Sequence, residues 1–138
     1  MITLEEAIQR YPGARTFSFG DSPALVEALN ALVRSGKKRA TCASQAEIDA
    51  GEPAAVLGHR DIALEPDGSP AFVIETLELR ATTFAEMTEE MALAEGEDET
   101  LAGWQENHRR YYERVLGYCK PDMPLVWERF RVVEDFGS

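Results

Sequence analysis

The chain has 138 residues, with 25 acidic against 14 basic side chains and a formal net charge of -11. That length suits one domain spanning residues 1–138 and lets roughly two-thirds of the extended chain's surface be buried, so a core can form without staples. The acid surplus argues against a groove that grips long duplex DNA, because such binders neutralise many phosphates with Lys and Arg.

With 44% hydrophobic residues the chain is too apolar for wholesale disorder. Cys42 and Cys119 are too few and too far apart for a disulfide framework or a CxxC metal site, so reduced thiols are expected and no metal or cofactor is called for. The opening segment MITLEEAIQR carries glutamates where a secretory signal has basic residues and an apolar run. No stretch is long and apolar enough for a membrane span, and a cytoplasmic location is the expectation.

In chain order, Thr3 and Glu6 form a T-x-x-E capping box for a helix over residues 3–11, which Pro12 and Gly13 stop. Arg15 to Phe19 alternates as a short strand does. Ser22 as N-cap and Pro23 at the first helical position start a second helix, whose stripe is Leu25, Ala28, Leu29 and Leu32 and whose end is Gly36. Lys37, Lys38 and Arg39 follow at the carbonyl end, where the helix dipole favours cations. Ala40 to Ala43 reads as a strand, and Ser44 with Glu47 caps a brief helix.

Strands over 61–65 and 71–80 flank the turn Pro66-Asp67-Gly68-Ser69, a hairpin. Thr88 caps a helix to Glu95, closed by Gly96, and Thr100 caps another that reaches Leu116 before Gly117. Leu125 to Val133 is the closing strand. The order is mixed α+β.

Several segments in this order resemble one family: Phe19-Gly20-Asp21-Ser22, the run from Leu32 to Thr41, Ala92 to Asp98, then Leu101, Trp104 and His108, and finally Phe130-Arg131-Val132-Val133. The chain resembles the ASCH domain, within it the bacterial branch with G-x-K-x-x-T and an acid-rich EG segment followed by W-x-x-x-H. The likeness runs from about Phe17 to Val133, leaving helix 3–11 as an extension. It implies a PUA-like fold, a small β-barrel with surrounding helices, in a superfamily associated with RNA and modified nucleosides. Small bacterial members include amidohydrolases that deacylate the exocyclic amine of cytidine, and proteins with ribonuclease activity.

On this chain the G-x-K-x-x-T element is Gly36, Lys38 and Thr41. A lysine in a cleft can accept a proton or hold an anionic oxygen, and a neighbouring threonine can serve as an acyl-transfer nucleophile. Glu95, which matches the acid of A-x-x-E-G, is the expected carboxylate facing Lys38, although a surface ion pair of little worth explains the two equally simply. The resemblance thus makes Lys38, Thr41 and Glu95 the catalytic candidates. Ala43 stands where relatives often carry an arginine, which weakens the case for phosphate binding there.

Trp104 and His108 lie one turn apart and offer a stacking surface and a hydrogen bond to a base, or simply a packed helix face. Lys37 and Arg39 are expected at the rim. Strand alternation sends Cys42 to the face opposite Thr41, as a buried free thiol. The acidic run Glu95 to Glu99 is read as a solvated helix start rather than a metal loop.

Three functions follow as expectations. The first is a cleft that binds RNA, a nucleoside or a nucleotide. The second is a hydrolase of acylated nucleosides or RNA using Lys38, Thr41 and Glu95, and the third is a protein-binding regulatory module. Arg34, Lys37, Lys38 and Arg39 fall within six residues, whereas residues 81–107 hold eight acids and no Lys or Arg. A compact basic rim around a pocket is the expected outcome.

Overall fold

The computed structural model describes residues 1–137. Helix α1 (Leu4–Arg10) carries the expected Thr3–Glu6 capping box, strand β1 is Thr16–Phe17, and helix α2 (Pro23–Arg34) is capped by the Ser22 side chain. Strand β2 (Ala40–Ser44) runs into helix α3 (Gln45–Asp49) through the Ser44–Glu47 capping box. Strands β3 (Arg60–Leu64) and β4 (Pro70–Thr83) form the hairpin, followed by helices α4 (Glu89–Ala94) and α5 (Leu101–Leu116) and strand β5 (Pro124–Asp135). The local signals therefore locate every element, with ends shifted by a few residues.

The strands form one sheet in the order β1-β3-β4-β5-β2, with β1–β3 parallel and the other pairs antiparallel. The α+β class is as expected. The sheet itself is not closed into a barrel: β1, only two residues long, and β2 are its edges and do not pair with each other. Irregularities in the β4–β5 ladder at Val73/Ile74 and Thr76/Glu78 add local bend and twist to the longest strand pair.

Two apolar clusters hold most of the helices against the sheet. Leu29 and Val33 of α2 pack on Phe19, Ala63, Ala71, Phe72, Ile74 and Phe130. At the other end Met91, Trp104 and Tyr112 of α4 and α5 pack on Ala40, Met123, Leu125 and Trp127. Ala7 of α1 joins Ile62 and Val73 in a third, smaller cluster. Between the two large clusters a cleft of about 830 Å³ opens, with walls from the segment around β1, the start of α2, β2, α3, α5 and the turn between α4 and α5.

Candidate functional site

Lys38 sits at the centre of the cleft wall. Its residue is 2% exposed, and its Nζ donates to the Ala40 carbonyl at 2.9 Å, the Glu95 carbonyl at 3.2 Å and Glu97 Oε2 at 2.8 Å. Each N–H of the ammonium thus has an acceptor, with the Phe19 ring 5.6 Å away. This arrangement suits a fixed cation that holds negative charge better than it suits a proton acceptor.

The carboxylate on Lys38 belongs to Glu97, not to Glu95. The reason lies in the turn between α4 and α5. Glu95 is the C-cap of α4, and Gly96 then adopts φ +76°, a left-handed conformation that glycine takes without a Cβ penalty. This turn presents the Glu95 carbonyl to Lys38 while its side chain goes to α5, where Oε2 accepts the Trp104 indole N–H at 3.0 Å. A Cβ on Gly96 would lie 2.5 Å from the Lys37 carbonyl oxygen, so only glycine lets the turn press against the Lys37–Lys38 backbone.

Trp104 is fully buried, with His108 stacked on it at 4.0 Å between centroids, so it stands behind the cleft wall as a support for Glu95. The surface available for stacking is instead the half-buried rings of Phe17 and Tyr111, both in the cleft wall. The Tyr111 hydroxyl donates to Glu47 at 2.7 Å. Burial and then this carboxylate push the Tyr111 phenol well above its ordinary value.

His108 lines the cleft beside Glu95, its Nε2 3.6 Å from Oε1. Burial alone pulls the imidazole down, but the Glu95 carboxylate, the Trp104 carbonyl and Glu97 outweigh it and raise its pKa. Cys42 is in the same corner, its Sγ 3.7 Å from the Tyr112 hydroxyl, and burial pushes its thiol well up. Three successive residues of β2, Thr41, Cys42 and Ala43, line the cleft, and the expectation that Cys42 turns away from the site does not hold.

Thr41 is half-buried, pairs with Glu128 across the β2–β5 ladder, and makes no hydrogen bond to Lys38 or Glu95 among the described residues. Glu128 is a cleft residue that the sequence reading missed. Burial raises its carboxyl pKa, opposed by the Thr76 hydroxyl that donates to it at 2.7 Å. Only the strand register reveals it, since residue 128 is 87 positions from Thr41.

The basic rim is not there. Lys37 and Arg39 are exposed and outside the cleft wall, and Arg34 is held by Glu65 and Asp135 against the Phe72 ring. The four Lys and Arg residues in the wall are Arg15, Lys38, Arg110 and Arg114, and all are paired: with Asp61, Glu97, Glu106 and Asp21. Eight carboxylates line the same wall, five of which (Glu47, Glu52, Glu95, Asp98 and Glu128) have no Lys or Arg partner among the described residues. The cleft is an acidic concavity around one buried ammonium.

The sequence model of the ASCH domain matches residues 15–134. No curated protein matches the chain. Among solved structures, an ASCH domain from Lactobacillus crispatus JV V101 is 29% identical with a TM-score of 0.80, over 96% of this chain and 87% of that one. A protein from Enterococcus faecalis V583 is 30% identical with a TM-score of 0.83, over 95% and 85%. A ZmASCH mutant protein from Zymomonas mobilis shares the fold at 12% identity and a TM-score of 0.51, over 86% of this chain and 67% of that one. With the family match covering all of the sheet but the last residue of β5, and neighbours of the same architecture, the α+β fold is the ASCH, PUA-like one, and this chain belongs to the ASCH domain family.

Proposed function

We propose that the cleft binds an uncharged nucleoside, with the Lys38 ammonium meeting a carbonyl of the base and Phe17 or Tyr111 against its face. The family's link to RNA supplies the ligand class. The observation that carries the choice within it is the charge of the wall: five carboxylates without a Lys or Arg partner among the described residues oppose a phosphate, and each of Arg15, Lys38, Arg110 and Arg114 there is already paired. Glu97 is exposed, so a ligand oxygen can replace it on Lys38 without dragging buried chain along. A ligand of one nucleoside also fits the size of the cleft, which is within the ordinary range for small-molecule sites.

A second reading, hydrolysis of an acylated nucleoside, is favoured by one observation: Thr41 shares the wall with Lys38 and lies directly across the ladder from Glu128. In it the Thr41 Oγ attacks the acyl carbonyl, Lys38 holds the developing oxyanion, and the Thr41 proton passes through a neighbouring carboxylate to the leaving amine. Water then cleaves the threonyl ester. This reading uses Glu97, which is bound to Lys38, or Glu128, which pairs with Thr41 across the ladder, in place of the Glu95 expected from the motif.

Titration calorimetry with cytidine, N4-acetylcytidine and a short single-stranded RNA tests the first reading, and acetate release from N4-acetylcytidine tests the second. Nucleoside binding that weakens at least about tenfold in Lys38→Met is the expected result. Tighter binding of the RNA than of any nucleoside overturns the proposal. Acetate release unaffected by Thr41→Val overturns the hydrolytic reading.

A further inference from the structure

The corner formed by Cys42, Glu95 and His108 does something the nucleoside reading does not require. Their ligand atoms, one thiol sulfur, one carboxylate oxygen and one imidazole nitrogen, lie within 4.8 Å of one another, and all three residues border the cleft. His108 Nδ1 is 2.9 Å from the Trp104 carbonyl oxygen. A carbonyl only accepts, so Nδ1 carries hydrogen, and Nε2 is left facing Glu95 Oε1 at 3.6 Å, too long for a hydrogen bond.

We propose that Cys42, Glu95 and His108 hold a Zn²⁺ ion in the inner wall of the cleft. Sulfur, nitrogen and oxygen donors from Cys, His and Glu are the set that zinc takes, at about 2.0–2.3 Å in a tetrahedron, which sets neighbouring donors about 3.5 Å apart. The Glu95–His108 spacing of 3.6 Å already meets that figure. The Cys42 sulfur lies within 4.8 Å of both. As the Zn–S and Zn–N bonds form, the Cys42 thiol proton and any proton on His108 Nε2 are released to solvent, and the ion takes their place among the buried groups.

The surrounding hydrogen bonds have the form of an outer shell. The Trp104 carbonyl fixes the His108 ring through Nδ1, and the Trp104 indole holds the second Glu95 oxygen at 3.0 Å. One residue thus orients two ligands. Three protein ligands leave the fourth position to water or to a ligand atom from the cleft, the pattern of an open zinc site rather than a closed structural one.

The test uses the full chain freed of metal with a chelator. Zn²⁺ competed against a chromophoric chelator should bind at one equivalent, and Co²⁺ in its place should give a thiolate-to-metal charge-transfer band in the near ultraviolet. Cys42→Ser should remove that band and weaken Zn²⁺ at least about 100-fold, and Glu95→Gln, which keeps an oxygen for the Trp104 indole, should weaken Zn²⁺ by a similar factor. Trp104→Phe should cost roughly tenfold. Cys119→Ser, at the other cysteine, should change neither reading. Absence of the charge-transfer band in the wild-type chain, or Zn²⁺ affinity equal in wild type, Cys42→Ser and Glu95→Gln, overturns the site. Nucleoside titration of the metal-free protein is read separately, so failure of either proposal leaves the other standing.

Discussion

The two large clusters that brace the sheet are built differently. Around α2 the packing is Phe on Phe with aliphatic fill: Phe19 lies against Phe72 and Phe130, and Leu29, Val33 and Ile74 close the gaps. Around α4 and α5 apolar side chains such as Met91, Met123 and Leu125 are joined by amphipathic and ionisable groups: Trp104 donates to Glu95, Trp127 to the Met91 carbonyl, and Tyr112 touches Cys42. The first cluster gives unconditional stability by burying apolar area. Both clusters border the cleft, the first through Phe19, Leu29 and Ile74, but the second spends part of its interior on polar groups that must be partnered, so it is the half able to change state.

Substitutions at the two ends should separate these roles, and the largest effect is expected in the apolar half. Phe72→Ala should cost about 3–5 kcal/mol in urea unfolding, the usual loss for a fully buried Phe, yet leave nucleoside affinity of the folded protein unchanged, since Phe72 is outside the cleft wall. Equal loss of affinity at concentrations where the protein is folded would break the division.

Gly96→Ala is expected next, at about 2–3 kcal/mol, from a positive φ and the approach to the Lys37 carbonyl oxygen. Unlike Phe72→Ala it should also weaken cleft binding, because the turn it disturbs positions both Glu95 and Glu97 on Lys38.

Asp61→Asn should cost about 1–3 kcal/mol at neutral pH by unpairing Arg15, which grips both carboxylate oxygens and also the Ala54 carbonyl. Burial alone pushes the Asp61 carboxyl up, but hydrogen bonds and charge from Arg15, with His59 adding to them, hold it below its ordinary value. A depressed carboxyl contributes stability that is fully present above its unfolded pKa of about 3.9 and is lost as pH falls through the folded value. Wild type should therefore lose stability on acidification faster than Asp61→Asn below about pH 4. Parallel acid limbs would contradict this pairing.

The smallest effect is expected on the outer face of α5, where Arg109 pairs with Glu106 and Glu113 in the open. Arg109→Ala should shift stability by no more than about 0.5 kcal/mol and leave cleft binding alone.

What could be read from the sequence was what neighbours in the chain decide. Thr3, Ser22, Ser44, Thr88 and Thr100 cap their helices as their spacing predicts, and Pro66 to Ser69 turns the hairpin, because each signal acts within four residues. The family motif set Lys38 against Glu95, and in the structure the Lys38 ammonium does meet the turn that carries residues 95 and 97. It misassigned which carboxylate meets Lys38, because one left-handed glycine exchanges the directions of residues 95 and 97. Sequence clustering of Arg34, Lys37, Lys38 and Arg39 suggested a basic rim, but successive residues after a helix point in different directions, and only Lys38 enters the cleft. Glu128 opposite Thr41, and Cys42 with His108, depend on strand register and helix placement across the fold, which no local pattern encodes.

The central claim is that the cleft selects an uncharged nucleoside, and the most direct measurement compares one nucleoside with its own 5′-monophosphate by calorimetry at low and moderate salt. The account predicts that the phosphate weakens binding at least about tenfold at low salt and that added salt narrows the gap by screening the cleft's carboxylates. A 5′-monophosphate that binds more tightly than the nucleoside, with affinity falling as salt rises, would contradict it.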